Sequence, residues 1–390
     1  MHTAKPVGGS LLTKNYLVIL AFAALGMILI AWRMFVGLGP TTALSDGYPW
    51  GIWIAFDVVT GTAFACGGYA VAILIYIVNR GKYHPLIRPA ILTSALGYSI
   101  AGFSVFIDIG RWWNVWKVPV QFWHWNFNSV LLEVALCIMA YMFVLWIELT
   151  PAFFEKFQDS KIEWLAKFSK AALPVMNKAL IFIIALGMLL PTMHQSSLGS
   201  LMLLSGPRLH PLWNTPFVPF FFLMTCIAMG YSVVVFESVF SSIVFKRGLE
   251  VPILKPLQKI AAYLCVAFVV LRFADLAYRG HLGLLVKFDL YGVMFWVETI
   301  LFCVPLVMVY AKFATTLPNL FRGAIVLAIA GGVYRFDTFL TAFSPGPGWH
   351  YFPSVPELFI TLGLVALEIA IYIAAVRFFP ILTGEFEAAR

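Results

Sequence analysis

The sequence predicts an all-α integral membrane protein with about ten transmembrane helices, and three observations predict it. The 390 residues are 62% hydrophobic and only 11% charged, whereas soluble domains are roughly half apolar and a quarter charged. Ten apolar runs reach the length of about 20 residues that a helix needs to cross the hydrocarbon core. Lys and Arg are distributed very unequally between the two sets of connections, the mark of an oriented multi-pass chain.

The first run, 15–38, is too long for a signal-peptide core and has no small-residue cleavage site, so it is expected to stay in the chain. Runs at 50–79, 86–108, 127–149 and 175–203 follow, then 216–245, 257–279, 289–313, 320–343 and 356–380. The connections are too short for a soluble domain, so 1–390 reads as a single polytopic membrane domain. Spans 2–5 (50–203) and spans 6–9 (216–343) read as two related four-helix bundles, with spans 1 and 10 flanking them. Span 3 ends in Asp108 and Arg111, and span 7 in Asp275 and Arg279. Span 4 carries Glu133 where span 8 carries Glu298, and span 5 carries His194 where span 9 carries Arg335 and Asp337. An offset of four spans makes the repeat parallel, with its axis along the membrane normal.

Of 26 Lys and Arg, 18 flank the face that holds both termini. Six (Arg33, Arg111, Lys117, Arg208, Arg279, Lys287) flank the other face, and Arg272 and Arg335 lie within spans. Both termini are therefore expected in the cytoplasm. The net charge of +8 is topological and is no nucleic-acid footprint. The opposite face is rich in tryptophan (Trp50, Trp112, Trp113, Trp116, Trp123, Trp125, Trp213, Trp349), which suits an interfacial belt, a protein-docking surface, or both. Cys66, Cys137, Cys226, Cys265 and Cys303 are isolated within spans, so neither an iron–sulfur cluster nor another metal centre is expected in this chain.

Ionisable residues inside a membrane are costly and usually mark an ion, proton or substrate path. Asp57, Asp108, Glu133 and His194 come from four consecutive spans and fall in the same half of the bilayer, aimed at one expected cavity. In span 2, Asp57, Gly61, Phe64 and Gly68 follow 3–4 spacing and are expected on one face. A quinone needs such a place: a flat ring on a lipid tail, with carbonyls that take hydrogen bonds and, on reduction, two protons. His194 suits donor and relay, and buried carboxyls suit proton transfer. Gln195, Asn126, Asn128 and His124 are candidates to orient the ring, and Trp53 to wall it. Asp108 with Arg111 also reads as an ion pair at the membrane edge, and His194 as a structural histidine. Arg272, Asp275, Glu298, Arg335 and Asp337, with Glu368 in span 10, read either as mutually paired or as a proton-conducting core. Of the seven histidines only His194 is clearly intramembrane, so no haem is expected. Two other classes fit the same residues, a secondary transporter and a haem b-bearing electron-transfer subunit.

Several strings carry a family resemblance: Pro49-Trp50-Gly51-x-Trp53, Phe64-Ala65-Cys66-Gly67-Gly68, Asn79-Arg80-Gly81-x-Tyr83-His84-Pro85-Leu86 and Leu190-Pro191-Thr192-Met193-His194-Gln195-Ser196-Ser197. Met294-Phe295-Trp296-x-Glu298 and Tyr351-Phe352-Pro353 belong with them. Nearly end to end, the chain resembles the NrfD/PsrC-like family of quinone-reactive membrane proteins, and within it the membrane subunits of periplasmic nickel–iron hydrogenases. That resemblance implies menaquinone as electron partner. It also implies an iron–sulfur electron-transfer subunit outside the membrane, attached to the large and small subunits of a Ni-Fe hydrogenase.

Overall fold

The computed structural model describes residues 4–248, 251–310 and 316–383. Among these, ten helices are long and apolar enough to span a membrane, and the chain is a multi-pass membrane protein. They are α1 (Lys14–Val36), α2 (Trp53–Ile77), α3 (Gly81–Asp108), α4 (Val130–Phe157), α5 (Glu163–Leu203), α6 (Val218–Phe245), α7 (Val251–Tyr278), α8 (Leu290–Val309), α9 (Leu317–Thr341) and α10 (Val355–Phe378). The extreme termini lie outside the described residues.

Neighbours in sequence are mostly neighbours in space. α3 packs on α2 and α4, and α4 on α5; α6, α7, α8 and α9 close a second group, in which α9 packs back on α6. The groups meet where α6 lies against α2 and α5, and where α9 lies against the start of α2. α1 and α10 form a pair whose α10 member packs on α3. Glycine makes that pairing possible: a Cβ on Gly26 would stand 2.6 Å from Gly363 Cα.

Two elements depart from the sequence reading. α5 begins at Glu163, well before the expected 175, because the polar segment ahead of the apolar run continues the helix with an i,i+4 pair, Glu163–Lys167 at 2.7 Å. α2 is not a regular helix. Its first two turns, Trp53–Thr60, are π-helical, and the helix breaks at Ala65 and Cys66 before resuming at Gly67. The freed Gly68 N–H is taken by Ser94 Oγ of α3 at 3.0 Å. The wide turns and the break change the residues per turn, so the expected common face of Asp57, Gly61, Phe64 and Gly68 dissolves. Phe64 lies toward Gly332 of α9, Gly68 packs on α3, and Asp57 accepts a hydrogen bond from Thr361 of α10 at 3.0 Å. At the break the units approach closely, since a Cβ on Gly230 of α6 would be 2.6 Å from Cys66 O.

Candidate functional site

The polar residues inside the bilayer form three clusters. The first lies where the two groups of helices meet. His194 of α5 is fully buried, and its Nδ1 stands 3.2 Å from the Tyr98 hydroxyl of α3. Its Nε2 has no partner. Next to it, Gln195 donates to Thr62 Oγ1 of α2 at 3.0 Å and accepts from Arg335 of α9 at 3.1 Å. Arg335 also donates to Thr225 Oγ1 and Phe222 O of α6, both at 2.8 Å, and lies over the Phe222 ring. No carboxylate pairs with it among the described residues. An unpaired charge at this depth is tolerable only because dipoles and a ring face surround it.

The second cluster sits inside α7, α8 and α9. Arg272 pairs with Glu298, which also accepts from Trp213 Nε1 at 2.9 Å, and the guanidinium lies 4.2 Å from the Phe295 ring centroid. Asp337 faces Glu298, and its two buried oxygens accept no hydrogen bond. Asp275 lies apart: Arg279 grips it at 2.6 Å and Thr215 donates to it at 2.8 Å, which fastens the connection before α6. Mutual pairing, one of the two expected readings, therefore describes Arg272–Glu298 and Asp275–Arg279, whereas neither Arg335 nor Asp337 makes a salt bridge among the described residues.

The third cluster follows α10. Asp57 has Thr361, Ser104 and Glu368 around it, and Glu368 neighbours Glu237 of α6, to which Tyr372 donates at 2.6 Å. Nearer the Trp-rich face, the cation that Asp108 meets is Arg33 of α1, whereas Arg111 is exposed. Glu357 is fully buried and accepts from Ala43 N, Ser354 N and Tyr351 Oη, each at 2.8 Å. Burial and this carboxylate raise the Tyr351 phenol's pKa well above its usual value.

The four residues expected around one cavity are thus distributed. Asp57 and Asp108 face α10 and α1, His194 faces α3, and Glu133 is half-buried in the first turn of α4. They face different partners rather than one common cavity. Gln195 joins His194 in one cluster, whereas Trp53 is buried with its indole N–H donating to Glu357 O at 3.3 Å. His124, Asn126 and Asn128 lie exposed in the connection before α4. Sequence reasoning missed Tyr98, which is ordinary as a core tyrosine until its hydroxyl is seen beside His194. It also missed Glu148 of α4, which packs against Gly187 of α5 where a Cβ would be 3.3 Å from the carboxylate. A carboxyl one residue from the end of an apolar run was the available signal.

Residues 40–344, which hold α2 to α9 and the first two clusters, match the sequence profile of the polysulphide reductase, NrfD family. The chain belongs to that family. An Escherichia coli protein named "Probable Ni/Fe-hydrogenase 2 b-type cytochrome subunit" is 43% identical over 98% of this chain and 95% of its own length. A protein of Nitratidesulfovibrio vulgaris is 30% identical over 93% of both chains. A third relative, "Menaquinone reductase, integral membrane subunit" of the same organism, is 28% identical over 92% of this chain and 90% of its own. The first of these names overturns the expectation that no haem accompanies the chain. That expectation counted paired histidines at matched depth, but haem iron is also held by one histidine, alone or with methionine.

Proposed function

We propose that this NrfD-family chain is the quinone-reactive membrane anchor of a periplasmic Ni-Fe hydrogenase complex in a bacterial inner membrane. Both termini lie in the cytoplasm, and an iron–sulfur subunit docks on the Trp-rich face. That subunit passes electrons from the hydrogenase large and small subunits to menaquinone. The helices form two parallel four-helix units, α2–α5 and α6–α9. This reading is supported by α6 packing on α5 much as α2 packs on α9.

The observation that carries the proposal is the sealed His194 cluster. An imidazole with one nitrogen beside the Tyr98 hydroxyl and the other unpartnered is a proton donor or acceptor held ready inside a bilayer. Gln195 fixes the neighbouring turn, while Asp57, Asp108 and Glu133 supply acids at similar depth. The acids of the second and third clusters, Asp275, Glu298, Asp337 and Glu368 with Arg272 and Arg335, extend a proton path. Names carried by two relatives, a hydrogenase subunit and a menaquinone reductase subunit, point to the same chemistry.

A second reading rests on the word cytochrome in one of those names. Among the described residues, His194 Nε2 is the buried, unpartnered imidazole nitrogen on offer to haem iron, since His84, His124, His210, His281 and His350 lie in loops or short turns. The same atom cannot serve both groups, so a visible absorption spectrum separates them. Haem bands lost in His194→Ala assign the nitrogen to haem, and their persistence assigns it elsewhere.

Purification of the chain from native membranes, with metal and quinone analysis, tests the main proposal. Nickel, iron and extractable menaquinone in one particle are the expected result. A chain that purifies alone and moves a solute into liposomes would refute it.

A further inference from the structure

α5 is longer than a bilayer requires. Its 41 residues run about 61 Å at about 1.5 Å per residue, against roughly 30 Å of hydrocarbon and 40–45 Å with the headgroups. Its last turns are fixed among neighbours: Gln195 bonds Thr62 of α2, and a Cβ on Gly199 would be 2.6 Å from Pro219 Cα at the start of α6. The surplus therefore falls at the first turns, on the face expected to hold both termini.

Those turns are held in place. The Phe168 ring meets Phe154 of α4 edge-on with centroids 5.8 Å apart, and Ser169 is fully buried. The exposed side carries an apolar ridge. Trp164, Phe168, Val175 and Phe182 recur at spacings of 4, 7 and 7, which keeps them on one face, and they are 56–73% exposed. Lys167, Lys170 and Lys178 lie along one flank of this ridge and are exposed as well. Lys167 pairs with Glu163 at 2.7 Å, whereas Lys170 and Lys178 make no salt bridge among the described residues. From Lys156 to Lys178 the chain carries five lysines against two acids, Asp159 and Glu163, so the flank is net positive.

Charge and apolar surface together identify the partner. Beyond Lys178 the ridge runs on without a break into the membrane span, through exposed Ile181, Phe182, Ala185 and Leu189. An acidic soluble protein would match the lysines but not the apolar surface below them. A zwitterionic lipid would cover the apolar surface but bring its own cation to the lysines. A phospholipid with net negative charge matches both, as basic amphipathic helices at membrane surfaces do. Lys178 precedes Phe182 by one turn, so a phosphate at its ammonium directs an acyl chain along Ile181, Ala185 and Leu189, which follow one another by four residues. Lys170 is about 12 Å further from the span, and the flexible stems of the two lysines can close on one headgroup.

We infer that the first turns of α5 form a binding site for anionic phospholipid. Lys170 and Lys178 hold the phosphate, Trp164 and Phe168 lie at headgroup depth, and the acyl chain follows the exposed side of α5. The site stands apart from the three polar clusters and is independent of the quinone reading.

Phosphatidylglycerol with a diazirine in one acyl chain, added to native membranes that contain the full-length chain and mapped by peptide, tests the site. Phosphatidylcholine with the same labelled chain is the reference. The ratio of the two labels on 175–189 is expected to exceed the ratio on lipid-facing α1 by about fivefold or more. In the double variant Lys170→Gln with Lys178→Gln it should fall to the α1 value. Lys255→Gln with Lys259→Gln removes a basic pair from α7 and should leave it unchanged. Equal ratios on α5 and α1, a double variant labelled like the parent, or an equal loss in the α7 variant would each overturn the assignment. An acidic protein that co-purifies with the parent and is lost from the α5 variant, with the lipid ratio unaltered, would overturn it too.

Discussion

Arg335 of α9 donates to Gln195 of α5 at 3.1 Å and, through its other terminal nitrogen, to Thr225 of α6 at 2.8 Å. Gln195 in turn donates to Thr62 of α2 at 3.0 Å. Four helices from the two groups are therefore tied by one guanidinium and one amide. Membrane helices gain nothing from hydrophobic exclusion between themselves, so such ties and close glycine contacts set their mutual position.

Arg335→Lys keeps the charge but loses the planar fork that reaches two helices at once. Thermal unfolding in lipid nanodiscs is expected to show a loss on the order of 1.5–3 kcal/mol, the range for hydrogen bonds to charged groups. Gln195→Leu is expected to cost less, about 1 kcal/mol, as interhelical hydrogen bonds in membranes do. Equal stability of Arg335→Lys and the parent would deny the tie.

The Arg272–Glu298 pair predicts an asymmetry. Arg272→Met strands Glu298 between the Trp213 indole and the Asp337 carboxyl, and loss of one partner of a buried pair costs about 3–5 kcal/mol. The double variant Arg272→Met with Glu298→Leu is expected to regain most of that. A double variant as unstable as the single one would show that the pair's charges are not coupled.

Glu357 closes a capping box at the start of α10 and also holds Ala43 N and the Tyr351 hydroxyl. Glu357→Ala is expected to cost more than the roughly 0.5–2 kcal/mol of a lone helix cap, since three groups lose their acceptor. Limited proteolysis should then cut the 343–353 connection faster. An unchanged cleavage rate would contradict this role.

His210 supplies a pH test. Burial lowers its pKa from the ordinary 6.5, so the folded state favours the neutral ring stacked on Tyr291. Below about pH 6.5 the unfolded chain takes up a proton that the folded chain resists, and stability falls as pH drops toward the folded value. Above pH 6.5 the contribution is fully present. His210→Phe keeps the stack and should flatten this part of the stability profile measured from pH 7.5 to 5; a profile parallel to the parent's would assign the titration elsewhere.

Hydropathy and basic flanks were enough to place the ten helices, because both follow from the bilayer's thickness and charge asymmetry. Depth was read from the fixed rise per residue of a helix, which assigns Asp57, Asp108, Glu133 and His194 to one half of their spans. Direction around the helix axis was not legible. π-helical turns at Trp53–Thr60 and the break at Cys66 turn Asp57 toward α10, and 3.6-residue counting cannot anticipate either. Long-range partners were equally hidden. Nothing local to Asp108 names Arg33, and nothing local to His194 names Tyr98 or Arg335. Asn126 and Asn128 looked like ring ligands by type but lie in an exposed connection.

On the proposed function, the costly polar groups of this bundle serve proton-coupled quinone chemistry through His194. Hydrogen-driven reduction of a menaquinone analogue, compared with dye reduction in the same membranes, tests it most directly. In His194→Ala, and to a lesser degree in Glu133→Gln, quinone turnover should fall by about 10²–10⁴-fold, the typical contribution of a positioned proton donor, while dye reduction persists. Parental quinone turnover in His194→Ala would contradict the claim.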